Sequence, residues 1–232
     1  MGANFITGTG TDIGKTWLAS ALLRHWRAQG LSPAAFKPVL SGFDPACPEA
    51  SDAGALLAAL GREVSTTELD AIAPWRFAAP LSPDMAAARE GRSIDFAELV
   101  AFTRRSVGAD SCTTLVEGVG GVMVPLDERH TVRDWIVASG LPCVLVTGSY
   151  LGSLSHTLTA LEALARVGAG VTAIAVNETP DSPVALAATV ASLSRHAPGI
   201  AVVAIGRARP GPGVATLSEL LQTPIRSYTA AP

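Results

Sequence analysis

The chain has 232 residues, 48% of them hydrophobic and only 5% aromatic, with a net charge of −3. That length suits one α/β domain with a core of Ala, Val, Leu and Ile. The charge excludes a general electrostatic pull toward nucleic acid, so partners should be small and locally recognised.

In chain order, residues 4–7 read as a strand that runs into the Gly/Thr-rich stretch 8–14, and residues 15–29 read as a helix ended by Gly30. Residues 34–37 form a second strand, stopped by Pro38, and 39–51 read as loop. A helix follows over 52–60, stopped by Gly61. Residues 62–92 look irregular, with Pro74, Pro80 and Pro83 as breakers. Helical texture returns over 95–105. Strands are expected over 113–116, 142–147, 171–176 and 201–205, and helices over 154–166, 184–195 and, briefly, 217–221. The near-continuous apolar run 142–147 suits a central parallel strand covered on both faces. Repeated β–α alternation predicts a single-domain α/β fold over 1–232, a doubly wound and mostly parallel sheet flanked by helices.

The three cysteines, Cys47, Cys112 and Cys143, have no C-x-x-C spacing, which argues against disulfides and a zinc site. Cys112 and Cys143 flank apolar runs and are expected in the core, and Trp17, Trp26, Trp75 and Trp135 are expected to pack there too. His25, His130, His156 and His196 show no ligand spacing, and His25 and His196 are expected on the surface. No leader and no apolar stretch of membrane-spanning length are visible, so a cytoplasmic protein is expected.

The phosphate chemistry is concentrated early. Gly8-Thr9-Gly10-Thr11-Asp12-Ile13-Gly14-Lys15-Thr16 lies between a strand and a helix, the context a phosphate-binding loop requires. Its glycines let backbone N–H groups form a nest for phosphate oxygens, and the helix start adds a positive dipole end. Lys15 is placed to reach the β- and γ-phosphates, and the Thr16 hydroxyl to ligate Mg²⁺. The spacing carries one residue more than the usual loop. Of 17 basic residues only Lys15 and Lys37 are Lys. A chain this rich in Arg that keeps Lys at two such points uses it as a compact point charge.

Other polar residues end strands, where ligands bind in open α/β sheets. Lys37 ends the second strand and would neutralise a transferring phosphoryl group or an anionic substrate group. Glu117 ends the strand over 113–116 and is placed to hold Mg²⁺. Asp52 starts a helix and would share the cation with Thr16 and Glu117. Ser41 is read either as a loop serine or as a substrate contact, and Asn177 ends the strand over 171–176.

These pieces together resemble the dethiobiotin synthetase family. The resemblance rests on the 8–16 loop with its extra residue, Lys37-Pro38-Val39, Ser41-Gly42, Ser51-Asp52, Val116-Glu117-Gly118-Val119-Gly120-Gly121, Asp134-Trp135 and Leu151-Gly152, in order along most of the chain. It implies an ATP- and Mg²⁺-dependent cyclo-ligase that converts 7,8-diaminononanoate and CO₂ to dethiobiotin, through a carbamate and its mixed anhydride with phosphate. It implies catalytic roles for Lys15 and Lys37, and Mg²⁺ ligation by Thr16, Asp52 and Glu117. ATP contacts would come from Asp12, Ile13, Gly14, Lys15, Thr16, Trp17, Asp52, Glu117, Gly118, Val119, Gly120, Asn177, Glu178, Gly206 and Arg207, with Asn177 at the adenine. Substrate contacts would come from Lys37, Ser41, Ser153, Leu154 and Ser155. The last three sit at a helix start that, in the family's homodimer, receives the substrate carboxylate of the other subunit. The chain departs from the family's pattern in carrying Ser155 where many members have Asn, and Gly206-Arg207 where Pro is frequent.

Two other readings share the loop. A partitioning- or positioning-type switch ATPase would be expected to carry a basic amphipathic helix or a basic patch, and none is seen. An amidase-ligase of the cobyric-acid type would need a glutaminase domain, for which there is no room. Small-molecule partners are expected, with no nucleic acid and no membrane.

Overall fold

The structure is a computed structural model and describes residues 2–108 and 113–222; the expected core position of Cys112 lies outside the described residues. Strand β1 (Ala3–Gly8) leads through the phosphate loop into helix α1 (Lys15–Ala28), followed by β2 (Ala34–Phe36) and β3 (Val39–Ser41). Next come α2 (Asp52–Leu60), α3 (Thr66–Ile72), β4 (Trp75–Phe77), α4 (Pro83–Arg89) and α5 (Phe96–Ser106). The second half runs β5 (Thr114–Glu117), α6 (Val132–Ser139), β6 (Cys143–Gly148), α7 (Ser153–Ala165), β7 (Val171–Asn177), α8 (Leu186–His196), β8 (Ala201–Ile205) and α9 (Gly211–Gln222).

The main sheet has the order β2-β5-β1-β6-β7-β8, and all of its pairings are parallel. Successive strand residues face opposite sides, and the packing follows that alternation. Val144, Val146, Ala173 and Ala175 join α1, α2 and α9 on one face, with Leu18, Leu56 and Leu217 among the buried residues. Phe5, Cys143 and Leu145 join α5, α6 and α7 on the other, and Ile174 and Val176 meet α8 through Leu193. The fully buried Trp135 meets Phe5 edge to face at 4.8 Å, worth about 0.5–1.5 kcal/mol beyond area burial. Its indole N–H donates to Thr103 Oγ1 (2.9 Å), as that of Trp26 does to Ser218 Oγ (2.7 Å), tying α1 to α9. The chain crosses from one side of β1 to the other between β5 and β6, which opens a crevice at the carboxyl ends of these strands.

Five expectations change. Residues 62–92 are not irregular: α3, β4 and α4 occupy most of them. Ser65 caps α3 by accepting from Glu68 N (3.2 Å), and Pro83 opens α4 instead of breaking it, because the first turn has no backbone donor to lose. Within the expected loop 39–51, β3 pairs in parallel with β4 as a separate two-stranded ribbon. Helix α6 was not expected; Thr131 and Asp134 cap it reciprocally. The last helix begins at Gly211, well before residue 217. Cys143 is buried, which pushes its thiol up to about 12, and Cys47 is exposed. Trp17 corrects the expectation of packing: it is 41% exposed.

Candidate functional site

The phosphate loop is held open by its own backbone. Asp12 and Gly14 adopt left-handed φ angles of 56° and 84°, which is ordinary for Gly and uncommon for Asp. A side chain on Gly8 would put its Cβ 2.3 Å from Ile13 Cδ1 and 3.1 Å from the Val146 carbonyl, so the loop leaves β1 only through glycine. Lys15, at the first position of α1, is buried and donates to the Gly10 carbonyl at 2.7 Å. Burial, reinforced by the nearby Lys37 charge, lowers its pKa to about 8 against the pull of Glu117, Asp52 and Asp12.

Lys37 follows β2, and its N–H donates to the Ile72 carbonyl (2.9 Å). The register of β2 on β5 pairs Phe36 with Val116, which sets Lys37 beside Glu117. Nζ donates to Glu117 Oε1 at 2.6 Å and to the Gly118 carbonyl at 2.8 Å, and it lies 3.2 Å from Asp52 Oδ2. Both Lys37 and Glu117 are almost fully buried. Burial alone would lower the Lys37 pKa, but the Glu117 and Asp52 charges outweigh it and leave it raised. Burial likewise opposes the Asp52 charge, and Lys37 overcomes that, leaving the Asp52 carboxyl below its usual range. Thr16 Oγ1 donates to the same Glu117 Oε1 (2.6 Å). Glu117 Oε2 is buried with no hydrogen-bond partner.

Thr16, Asp52 and Glu117 thus gather around one point beside the loop. Two carboxylates and a hydroxyl, one carboxylate oxygen among them unsatisfied, form an oxygen-only donor set that fits a hard cation such as Mg²⁺. No cluster of three or more His, Cys, Asp or Glu occurs among the described residues, and Mg²⁺ needs none because it keeps several waters.

A cleft of about 950 Å³ opens over this cluster, lined by Asp12, Gly14, Lys15, Thr16 and Trp17 on one side and by Lys37, Ser41, Asp52, Val119 and Gly120 on the other. Ser41 Oγ is buried there without a hydrogen-bond partner. Pro80, Leu81, Ser82 and Pro83 complete its rim, so the segment that looked irregular in sequence forms a wall of the cleft. Nothing in its composition signalled this beyond its length.

The remaining sequence-based candidates lie apart from the cleft. Gly118 does not line it: its N–H donates to the Ile6 carbonyl (2.9 Å) and its carbonyl accepts from Lys37. Asn177 is tied to the loop from behind through Ile13 and Gly14. Glu178 accepts from Arg207 N (2.7 Å), joining the ends of β7 and β8 next to Gly206. Ser153, Leu154 and Ser155 open α7 behind the left-handed Gly152 and do not line the cleft of their own chain. Near them Tyr150 OH and His156 Nδ1 are 2.9 Å apart, a pair that sequence reasoning did not anticipate.

The family model described as AAA domain matches residues 3–208. Among curated proteins, the chain is 53% identical over 193 residues to an ATP-dependent dethiobiotin synthetase of Acidiphilium cryptum, covering 83% of this chain and 86% of that one. It is 44% identical over 234 residues to that of Phenylobacterium zucineum, covering 100% of both. Among solved structures it resembles hydrogenase maturation factor HypB of Archaeoglobus fulgidus (TM-score 0.58, 14% identity, 96% of this chain and 89% of that one). It also resembles the septum site-determining protein MinD of Pyrococcus horikoshii complexed with Mg-ADP (TM-score 0.55, 14% identity, 95% and 94%). At such identities these two likenesses show the fold alone, an α/β P-loop NTPase fold, whereas the closer sequence matches carry the family. The chain belongs to the ATP-dependent dethiobiotin synthetase family.

Proposed function

We propose that this chain closes the ureido ring of dethiobiotin from 7,8-diaminononanoate, CO₂ and ATP, releasing ADP and phosphate. The observation that carries the reading is the buried Lys37, paired with Asp52 and Glu117 and facing the phosphate loop across one cleft. A hydrolytic switch has no evident need for a second buried cation opposite the loop lysine.

In this scheme one substrate amine bonds to CO₂ and loses a proton, giving a carbamate. A carbamate oxygen takes the γ-phosphoryl group, and ADP leaves. The second amine then attacks the carbonyl carbon and gives up a proton to solvent or to the departing phosphate, the C–O bond to phosphate breaks, and the ring is closed. No side chain forms a covalent bond; the protein positions charge. Lys15 would neutralise the β- and γ-phosphates, and Lys37 the carbamate and the phosphoryl group in transit. Ser41 Oγ, buried without a partner, would donate to the substrate. Thr16, Asp52 and Glu117 would hold Mg²⁺, which supplies charge neutralisation to the triphosphate when bound. Asn177 Oδ1, buried and unpartnered, offers an acceptor to the adenine amino group, with Glu178, Gly206 and Arg207 around the base.

The reading extends to assembly. The family resemblance implies a homodimer with shared sites in which the α7 start receives the substrate carboxylate of a second copy; that Ser153, Leu154 and Ser155 do not line their own cleft is in keeping with it. We place the whole chain in one domain and in the cytoplasm. Among the described residues no helix is long and apolar enough to cross a membrane.

The test is ADP release from the purified protein with Mg-ATP and bicarbonate, with and without 7,8-diaminononanoate. The expected result is release that depends on the diamine, with dethiobiotin appearing in equal amount. Diamine-independent hydrolysis would instead favour a switch ATPase.

A further inference from the structure

Asn177 closes β7, and its place at the adenine rests on family resemblance alone. Its contacts indicate a second task. The side-chain Nδ2 donates to the Ile13 carbonyl at 2.7 Å and to the Gly14 carbonyl at 3.2 Å, and the residue is only 9% exposed. Those carbonyls belong to the two peptide links that carry the N–H groups of Gly14 and Lys15. In a trans peptide the C=O and N–H point in opposite directions. An amide that draws both oxygens toward β7 therefore turns both N–H groups away from it, toward the nest.

The loop needs such a hold. Asp12 and Gly14 on either side of Ile13 take left-handed φ angles, a conformation sparsely populated for Asp and one that persists only where the surroundings impose it. The fit is tight: a Cβ on Gly14 would stand 2.6 Å from Asn177 Nδ2. The Gly14 carbonyl also accepts from Leu18 N (3.0 Å), so the same tie reaches the first turn of α1. Ser149 and Thr179 brace the end of β7 in turn, each backbone N–H donating to the other's hydroxyl at 3.0 Å.

We infer that Asn177 is a positioning residue for the phosphate loop, holding the Gly14 and Lys15 peptides in phosphate-binding orientation whatever base the nucleotide carries. The inference rests on reading the loop as the ATP site. One amide would then serve both ends of the nucleotide: Nδ2 fixes the loop, and Oδ1 is left for the base.

Affinities for ATP and for inorganic tripolyphosphate, each with Mg²⁺, separate the two tasks by calorimetry on the full-length wild type, N177A and N177S. Loss of the tie should weaken tripolyphosphate by roughly tenfold and ATP by at least as much, since ATP also loses the Oδ1 contact. If ATP weakens while tripolyphosphate is unaffected, the side chain acts on the base alone and the inference falls; it falls too if neither ligand weakens. Hydrogen exchange of the nucleotide-free chains gives a reading that needs no ligand. Amides of residues 13–17 should exchange at least about fivefold faster in the variants, with those of β6 unchanged, and unchanged loop exchange would overturn the inference. N177S keeps a small polar group in place and carries both measurements should N177A fail to fold. A wild type that binds no ATP would sink the nucleotide reading itself, a result distinct from all of these.

Discussion

The surroundings of Lys15 and Lys37 are built for opposite charges. Lys15 lies in a loop of backbone dipoles, donates to the Gly10 carbonyl, and has its pKa pulled down to about 8. Lys37 lies between Asp52 and Glu117 and has its pKa pushed up. The first region carries positive charge that the fold leaves uncompensated, so it gains from an anion. In the second, two carboxylates face one ammonium, which leaves one negative charge and an unsatisfied Glu117 oxygen, so it gains from a cation. The proposed Mg-ATP site would need both regions in one cleft.

The largest test of that contrast is Lys37→Ala. It strands Glu117 in the interior, so stability without metal should fall by about 3–5 kcal/mol, and added Mg²⁺ should recover part of the loss. Turnover should drop by about 10²–10³-fold while ATP binding is largely kept. Denaturant melts in chelator and in Mg²⁺, together with ADP release, check all three, and near-normal turnover would remove Lys37 from the chemistry. Lys15→Ala should differ in sign. It orphans no charge, so stability should hold or rise, while ATP affinity and turnover both fall, by about 10²-fold.

A milder perturbation is pH. As pH rises through about 8, Lys15 of the free enzyme loses its proton, and ATP affinity should fall by up to about tenfold per pH unit beyond that point. Lys15→Arg, which stays charged, should flatten this step even if its overall affinity is lower. The folded pKa lies below the unfolded one, so above pH 8 the unfolded chain binds more protons. Wild-type stability should therefore gain from this group as pH rises from about 8 toward 10.5, and Lys15→Ala should lack that gain. A pH-independent ATP affinity between 7 and 9 would mean that the Lys15 environment is more polar than its burial implies.

These regions were unequally legible in sequence. The phosphate loop is local: spacing, glycines and the strand–helix context identify it within nine residues. Lys37 stood out because the chain keeps only one other Lys, and Glu117 because it ends an apolar strand. Their pairing was not legible. It spans eighty positions and depends on β2 lying beside β5, and alternation predicts parallel strands without fixing their order. The wall of the cleft formed by residues 80–83 was hidden for another reason. Helices of seven residues, such as α3 and α4, are too short to display a 3.6-residue period, and their prolines read as breakers although one is a helix start. Helix α6 has a signal, Thr131 three residues before Asp134, but in a weaker form than the usual capping box, whose acid position is Glu or Gln. The inward turn of the Asn177 amide could not be read at all, since residue type fixes neither rotamer nor partner.

The smallest expected effect falls on the Lys37 side and sharpens which ligand that side serves. Ser41 Oγ is buried in the cleft with no partner. A buried hydroxyl without a protein partner adds nothing to the folded state, so Ser41→Ala should leave stability unchanged or raise it by up to about 1 kcal/mol. If the hydroxyl serves the diamine, the same substitution should raise the KM for 7,8-diaminononanoate by about threefold to tenfold with kcat little changed, the signature of binding lost equally from ground and transition states. Because stability and affinity then move in opposite directions, a general loosening of the cleft cannot mimic the result. A rise in the KM for ATP instead would move Ser41 to the nucleotide's side, and the division of the cleft between Lys15 and Lys37 would have to be redrawn around it.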